Sequence, residues 1–378
     1  MRSTSRLALF FFAAICLCQS CVRKPDVRED FVTSPNAQIG QSYPMVNSEG
    51  RVRVCIHAPY ALSVKLDICA VKYPLRRVDG GLWIGESAPL DEGFHYYQIQ
   101  IDGASMPDPS SLYYYGAGRW GSGVDVPSPD QEIYEVRNVP HGQVREIRYW
   151  SDTKQSMRRV NIYTPPGYDQ SQSKRYPVLY LLPGGAENED SWIQQGHLAQ
   201  IMDNLIADGK AEPFIVVTDN CIMGHPFDWE EEYDSIITED LIPMVDSNFK
   251  TVPDNAHRAM AGFSYGGFQS KWTTMAHPDL FSYVGFFCGG ILTVDELKDN
   301  QEFTDGIRLV FVSYGGNELN GSIVFGIDEG VDPRKETEAL KEHGVNSVYY
   351  VSPNTHHEWH SCRRSLYRFA QLLFKTTT

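Results

Sequence analysis

The stretch "RAMAGFSYGGFQSKW", residues 258–272, decides the fold. An apolar run, Ala259, Met260 and Ala261, ends at Gly262; Ser264 follows, flanked on its far side by Gly266 and Gly267, and a helix-compatible run begins. A residue at a sharp turn between strand and helix sits in strained backbone, and neighbouring side chains would collide with the elements on either side. Glycine at the flanking positions removes the collision and leaves the serine hydroxyl projecting above the sheet. The stretch therefore reads as a device that exposes a nucleophile.

Around it the chain alternates strand and helix. "YPVLYLLPGG" and "PFIVVTDN" are nearly continuous apolar runs ending in loop residues, as strands buried on both faces do. "YVGFFCGG", "RLVFVSYGG" and "NSVYYVS" continue the series, with "VREIRYW" and "RRVNIYTPPGY" as an antiparallel pair before it. Helical patterns fall between them at "HLAQIMDNLIADGK", "EDLIPMVDSNF", "FQSKWTTMAHP", "RKETEALKEHG" and "RSLYRFAQLLF". This alternation predicts an α/β fold, an α/β-hydrolase three-layer sandwich over residues 139–378.

Upstream the grammar differs. "GRVRVCIHAP", "LSVKLDI", "GLWIGESAPL" and "GFHYYQIQIDG" are short alternating strands separated by Gly-containing turns. They predict a small immunoglobulin-like β-sandwich over residues 39–138, with "MPDPSSLYYYGAGRWGSG" as a Pro, Gly and Tyr-rich excursion. Residues 22–38 are polar and aperiodic and read as a tether. Residues 1–21 carry Arg2 and Arg6 before an apolar run from Leu7, too short to span a bilayer, and read as a signal peptide with Cys21 as a candidate lipidation site.

The 378 residues carry a formal net charge of −15, with 42% hydrophobic and 21% charged residues. An acidic balance excludes a nucleic-acid partner, which would need clustered Lys and Arg. Of eight cysteines, Cys16 and Cys18 lie in the signal; Cys55, Cys69, Cys221, Cys288 and Cys362 contain no CxxC pair, so a metal centre is not expected.

A serine hydroxyl needs a base within hydrogen-bond reach, and this fold supplies the partners in the order Ser, acid, His. "SPNTHHEWHSCRRSL" lies between the last strand and the last helix; His357 is the expected base and His356 its rival. "RLVFVSYGGNEL" presents Glu318 just past a strand end, the expected acid, with Asp328 and Asp332 as competitors. The oxyanion donors are expected from Tyr265 and from "YLLPGGAENEDSW", at Gly185 or Ala186. Trp192, Phe227 and Trp229 are candidate aryl-pocket residues. No cofactor is required by this chemistry.

These motifs resemble the putative-esterase group of carbohydrate esterase family 1, which includes feruloyl and acetylxylan esterases. The upstream strands resemble the family 48 carbohydrate-binding-like domain that precedes many bacterial members, and would offer Tyr113, Tyr114, Tyr115 and Trp120 to a sugar. The resemblance implies Ser264 as nucleophile, His357 of "HEW" as base and Glu318 at a position where aspartate is usual. It departs at Pro183, where the family has histidine, and at Tyr265, where it has methionine. It implies a secreted or envelope-bound serine esterase removing feruloyl groups from xylan-type plant cell-wall polysaccharide. Acetylxylan esterase and an inactive glycan-binding lipoprotein are its alternatives; a membrane would be met only through the lipid anchor. The oligomeric state stays open.

Overall fold

The computed structural model describes residues 28–220, 229–298, 300–320 and 331–375. The signal segment, Cys21, Cys221, Phe227 and Asp328 lie outside the described residues. Eight strands form the main sheet: β1 (Gln143–Ser151), β2 (Ser156–Thr164), β3 (Val178–Leu182), β4 (Ile215–Asp219), β5 (Arg258–Phe263), β6 (Tyr283–Phe287), β7 (Leu309–Gly315) and β8 (Ser347–Ser352). Their spatial order is β1-β2-β4-β3-β5-β6-β7-β8. The β1–β2 and β2–β4 pairs are antiparallel; from β4 to β8 every pairing is parallel.

The central strands are buried along their whole length, so sequences such as Val178–Leu182 and Tyr283–Phe287 show no alternation. Helices α1 (Leu198–Ala207), α2 (Ile242–Asn248), α3 (Tyr265–Ala276), α4 (Pro333–Glu342) and α5 (Trp359–Ala370) occupy the crossovers and the C-terminus. This is the α/β-hydrolase arrangement expected from the sequence. The segment expected as one regular helix over "EDLIPMVDSNF" instead runs from a π-helical turn, Ile236–Leu241, into α2.

Register brings the strand ends to one edge. Leu182 lies opposite Gly262, Phe263 opposite Phe287 and Gly315 opposite Ser352. The segments leaving these positions carry the 183–190 loop, Ser264, Glu318 and His357, so parallel pairing alone gathers residues far apart in sequence.

The upstream half is a β-sandwich of two antiparallel sheets around Val52, Val54, Leu66, Tyr97, Ile99 and Val124. Two expectations differ here. "YYYGAGRWGSG" is not an excursion but a hairpin, Tyr113–Gly116 against Arg119–Val126, completing the second sheet. Residues 28–38 are not a loose tether: Val32–Thr33 pairs with Met45–Val46, and buried Asn36 donates to Tyr114 Oη at 2.8 Å and Asp125 Oδ2 at 3.2 Å. The polar composition misled because Asn and Ser side chains satisfy each other inside the fold.

The two halves share a core. Phe94, Tyr114 and Tyr134 of the upstream half pack in one buried cluster with Trp192, Phe263 and Trp359. Arg363, fully buried on α5, donates to Asp125 Oδ1 at 2.6 Å and to the Gln195 carbonyl at 2.7 Å. Burial pushes the Asp125 carboxyl up, but the Arg363 charge and His197 outweigh it and hold it well below the carboxylate range. Arg364 makes a fork to Asp130, at 2.6 and 2.8 Å.

Candidate active site

Ser264 links β5 to α3 with φ 54° and ψ −115°, a conformation that L residues adopt only where the surroundings impose it. The imposing features are local. A Cβ at Gly262 would stand 2.2 Å from the Gly266 carbonyl carbon, and one at Gly266 would stand 2.6 Å from the Pro183 carbonyl oxygen. Any side chain at either position would drive strand and helix apart. The Ser264 amide donates to the Phe287 carbonyl at 2.8 Å, fixing the turn on the neighbouring strand.

His357 sits in the segment between β8 and α5. Its Nδ1 lies 2.8 Å from Glu318 Oε1. Its ring stacks at a tilt on Phe263, the residue before Ser264, with centroids 4.7 Å apart. The carboxylate thus engages Nδ1 and leaves Nε2 as the nitrogen turned from the acid, the orientation a serine base needs. Glu318 is buried in a short helix, Gly316–Leu319, and its other oxygen takes the Gly315 amide at 3.4 Å. Starting from a helical turn just past the strand, the longer glutamate side chain spans the gap to the ring.

The rivals are placed elsewhere. His356 is exposed, with Nε2 at 3.3 Å from Asn317 and 3.7 Å from Asp91. Asp332 caps α4, accepting from Arg334 N at 2.9 Å. Trp192 does not line an open pocket: it is fully buried, donates to the Leu182 carbonyl at 2.8 Å and meets Trp359 edge-on at 5.2 Å. Its place under the strand end makes it a prop for the loop above. Trp229 opens the helix Trp229–Ser235, and only its backbone position is described. Of the tyrosine run, Tyr114 is buried in the core, whereas Tyr113 and Trp120 are exposed.

The loop after β3, residues 183–190, expected to supply oxyanion donors, is tied from several sides. Gly184 N donates to Glu187 Oε2 at 3.3 Å, and the Glu189 carbonyl accepts Thr218 Oγ1 at 2.8 Å. Ala186 has φ 62°, a left-handed conformation. A Cβ at Gly185 would stand 3.3 Å from the Tyr265 ring, so the loop lies directly against the residue after the nucleophile.

Two buried groups here escaped sequence reasoning. Glu187 takes hydrogen bonds from Tyr96 Oη and Trp359 Nε1 as well as Gly184. Burial pushes its carboxyl up to about 7, against the pull of those donors. Cys288 follows β6, and its sulfur lies within 4.8 Å of both the Glu318 carboxylate and a His357 ring nitrogen. Such a Cys, Glu and His set matches zinc donors in type. Burial, then the Glu318 charge, push the thiol up in the absence of an ion. Cys55, Cys69, Cys288 and Cys362 are all free thiols.

An α/β-hydrolase fold with a serine at the strand-to-helix turn, and at the same sheet edge a histidine bonded to a buried carboxylate, defines the class. Residues 151–303 match the family model described as "Putative esterase". The chain is 41% identical over 367 residues to an endo-1,4-beta-xylanase/feruloyl esterase of Xylanibacter ruminicola, matching 93% of this chain and 48% of that protein. It thus spans about half the length of that relative. A ferulic acid esterase of Anaeromyces mucronatus superposes with a TM-score of 0.53 at 23% identity, over 65% of this chain and 96% of that one. The enterobactin esterase of Shigella flexneri covers more, 86% of this chain and 93% of its own, with a TM-score of 0.62 at 16% identity. At these identities the two structures establish a shared fold.

Proposed function

We propose that the protein is a secreted serine carboxylic-ester hydrolase that removes feruloyl groups from hemicellulose of the arabinoxylan type. The observation that carries this reading is the Glu318–His357 contact of 2.8 Å, stacked on the residue that precedes a strained Ser264. The substrate class is supported by the likeness to the Xylanibacter ruminicola xylanase/feruloyl esterase.

In this mechanism His357 Nε2 takes the Ser264 proton as Oγ adds to the ester carbonyl. Glu318 holds the ring tautomer through Nδ1 and stabilises the imidazolium. The Tyr265 amide and a Gly185 or Ala186 amide donate to the tetrahedral oxyanion. The imidazolium protonates the departing sugar alkoxide, and water, deprotonated by the same histidine, releases the acid from the acyl-enzyme. The chain's own groups account for each proton, so the scheme calls on no cofactor.

A second reading, an acetyl-specific esterase, is favoured by the Tyr265 ring against Gly185, which narrows the site where the family has methionine. Product analysis on feruloylated and acetylated arabinoxylan separates the two. Ferulate released faster than acetate is expected, and the reverse ratio would replace the first reading with the second. Binding to xylan with no release of either acid would leave an inactive glycan-binding protein, the reading to which Pro183 points. Export to the bacterial envelope and lipidation at Cys21 belong to the same proposal. A Cys21→Ser variant that still partitions with membranes would refute the anchor. Among the described residues no helix is long and apolar enough to cross a membrane.

A further inference from the structure

The upstream half reaches the loop after β3 through its hairpin and through Tyr96. The hairpin tip between Tyr113–Gly116 and Arg119–Val126 places Gly118 N at 2.9 Å from the Ala186 carbonyl. The same carbonyl belongs to a residue held at φ 62°, where an alanine stays only if its neighbours fix it. Tyr96, on the adjacent strand Gly93–Ile101, sends its hydroxyl under the loop and contacts Glu187 Oε1 at 3.2 Å.

Glu187 is where these contacts converge. Its Oε1 also accepts Trp359 Nε1 at 3.0 Å, and its Oε2 accepts Gly184 N at 3.3 Å. Trp359 begins α5, a short step beyond His357. Gln195 Nε2 closes the network, donating to Tyr96 Oη and to the Tyr115 carbonyl, each at 2.8 Å. One buried carboxyl therefore joins the sandwich, the oxyanion loop and the histidine loop. A hydrolase fold needs a carboxylate for its histidine, which Glu318 supplies. Glu187 has no part in that proton traffic; its burial is costly unless hydrogen-bonded, and the donors from Tyr96, Trp359 and Gly184 offset that cost.

We propose that the β-sandwich is a working part of the acyl-transfer site, and that Glu187 is the positioning residue through which Tyr96 and Trp359 hold the oxyanion loop in its donating shape. The proposal rests on the serine-hydrolase reading above and extends it: the upstream half acts on the chemical step even for substrates too small to touch it. An oxyanion donor works only when it already points at the developing charge, so loosening the loop lowers kcat and leaves ground-state binding nearly unchanged.

The test uses the full chain with Tyr96→Phe, Glu187→Gln and the double variant, assayed on p-nitrophenyl acetate and methyl ferulate. Tyr96→Phe removes only the hydroxyl and keeps the ring. Glu187→Gln keeps the shape but sets an amide where a carboxyl oxygen accepted, so one of the three donors loses its partner. Each single variant is expected to lose at least about tenfold in kcat on both esters, with KM within about twofold. The loss stays below the 10²–10³ found when an oxyanion donor is deleted outright. The double variant is expected to fall little further, because both changes break one linkage. Affinity for a boronic acid that mimics the tetrahedral adduct is expected to fall in step with kcat, while affinity for ferulate holds.

Unchanged kcat in both single variants would overturn the proposal. So would losses that multiply in the double variant, or that disappear once rates are divided by the folded fraction from thermal melts. Ser264→Ala is assayed alongside. If it kept wild-type rates, the serine-hydrolase reading and this proposal would fall together. If it is inactive while Tyr96→Phe and Glu187→Gln are normal, only the proposal falls.

Discussion

The turn after β5 and the loop after β3 stand side by side at the same edge of the sheet, yet their shapes have different origins. Ser264 is held at φ 54° chiefly by glycines that admit no side chain and by the first turn of α3, with one amide bond to Phe287 and close packing on Pro183 as its distant supports. The oxyanion loop takes its hydrogen bonds from Gly118, Tyr96, Thr218 and Trp359, contributed by widely separated parts of the chain. The first is set mostly by neighbours in sequence, the second mostly by the tertiary fold. Replacing residues in each shows how far that difference extends.

The largest effect is expected at the elbow itself. Ser264→Ala removes the proposed nucleophile and should cost on the order of 10⁶ in kcat, as deleting a member of a serine triad does elsewhere. Steady-state hydrolysis of methyl ferulate checks it. Glu318→Ala should cost on the order of 10⁴, because the histidine keeps its place but loses the partner that fixes its tautomer. Asp332→Ala is the control. It should leave kcat unchanged and lower stability by about 1 kcal/mol, the worth of an N-cap, read from the denaturation midpoint.

A single methyl group sharpens the contrast between the loops. In Gly262→Ala the new Cβ would lie 2.2 Å from backbone that cannot yield without parting β5 from α3. Activity and melting temperature should both collapse. In Gly185→Ala the new Cβ would meet the Tyr265 ring edge at 3.3 Å, a contact that a small ring movement relieves, and the amide donor is retained. A kcat loss of less than about tenfold, roughly 1.4 kcal/mol of barrier, is expected there. Equal losses in the two variants would end the distinction between local and distributed control.

The same division explains what could be read in the sequence. The parallel strands, the order of the helices and Ser264 follow from hydrophobic runs, their length and their glycines, all short-range signals. The pairing of Glu318 with His357 was legible only as chain order plus strand ends, which left Asp328, Asp332 and His356 as rivals; of these Asp332 caps α4 and His356 is exposed, and Asp328 lies outside the described residues. Trp192 read as a loop aromatic because position near a glycine turn says nothing about burial. Tyr114 and Asn36 were misjudged for a related reason: their surroundings come from the far side of the sandwich. Glu187 was invisible, since a carboxylate in "GGAENED" looks like any solvated loop acid, and nothing nearby announces Tyr96 or Trp359.

The contacts between the two halves also differ in strength from those of ordinary surfaces, and Arg363 measures this. Arg363→Met keeps most of the volume on α5 but leaves the Asp125 carboxyl buried without its guanidinium. Removing one partner of a buried pair typically costs about 3–5 kcal/mol. Adding Asp125→Asn should recover much of that loss, because the stranded charge goes with it. Chemical denaturation of the two variants provides the comparison. No recovery in the double variant would mean that Arg363 matters through packing on Tyr134, which it overlies at 4.5 Å.

The smallest effect concerns pH. Glu187 has an ordinary value of 4.5 that burial raises to about 7 in the folded chain. Between those values the unfolded chain has released the proton while the folded chain still holds it. Folding therefore binds a proton in this window, and stability contributed by the neutral carboxyl declines as pH rises from 4.5 toward 7. The groups facing it are the Tyr96 hydroxyl, the Trp359 and Gly184 N–H donors and the Cys362 thiol. Tyr96 and Cys362 are themselves pushed up by burial, so neither ionises in that window. Glu187→Gln removes the titration and leaves the rest of the molecule's pH response in place. The difference in unfolding free energy, variant minus wild type, should then become more positive from pH 4.5 to 7. A difference that stays flat would show that the carboxyl is already ionised and solvated, and that the oxyanion loop is looser than its hydrogen bonds imply.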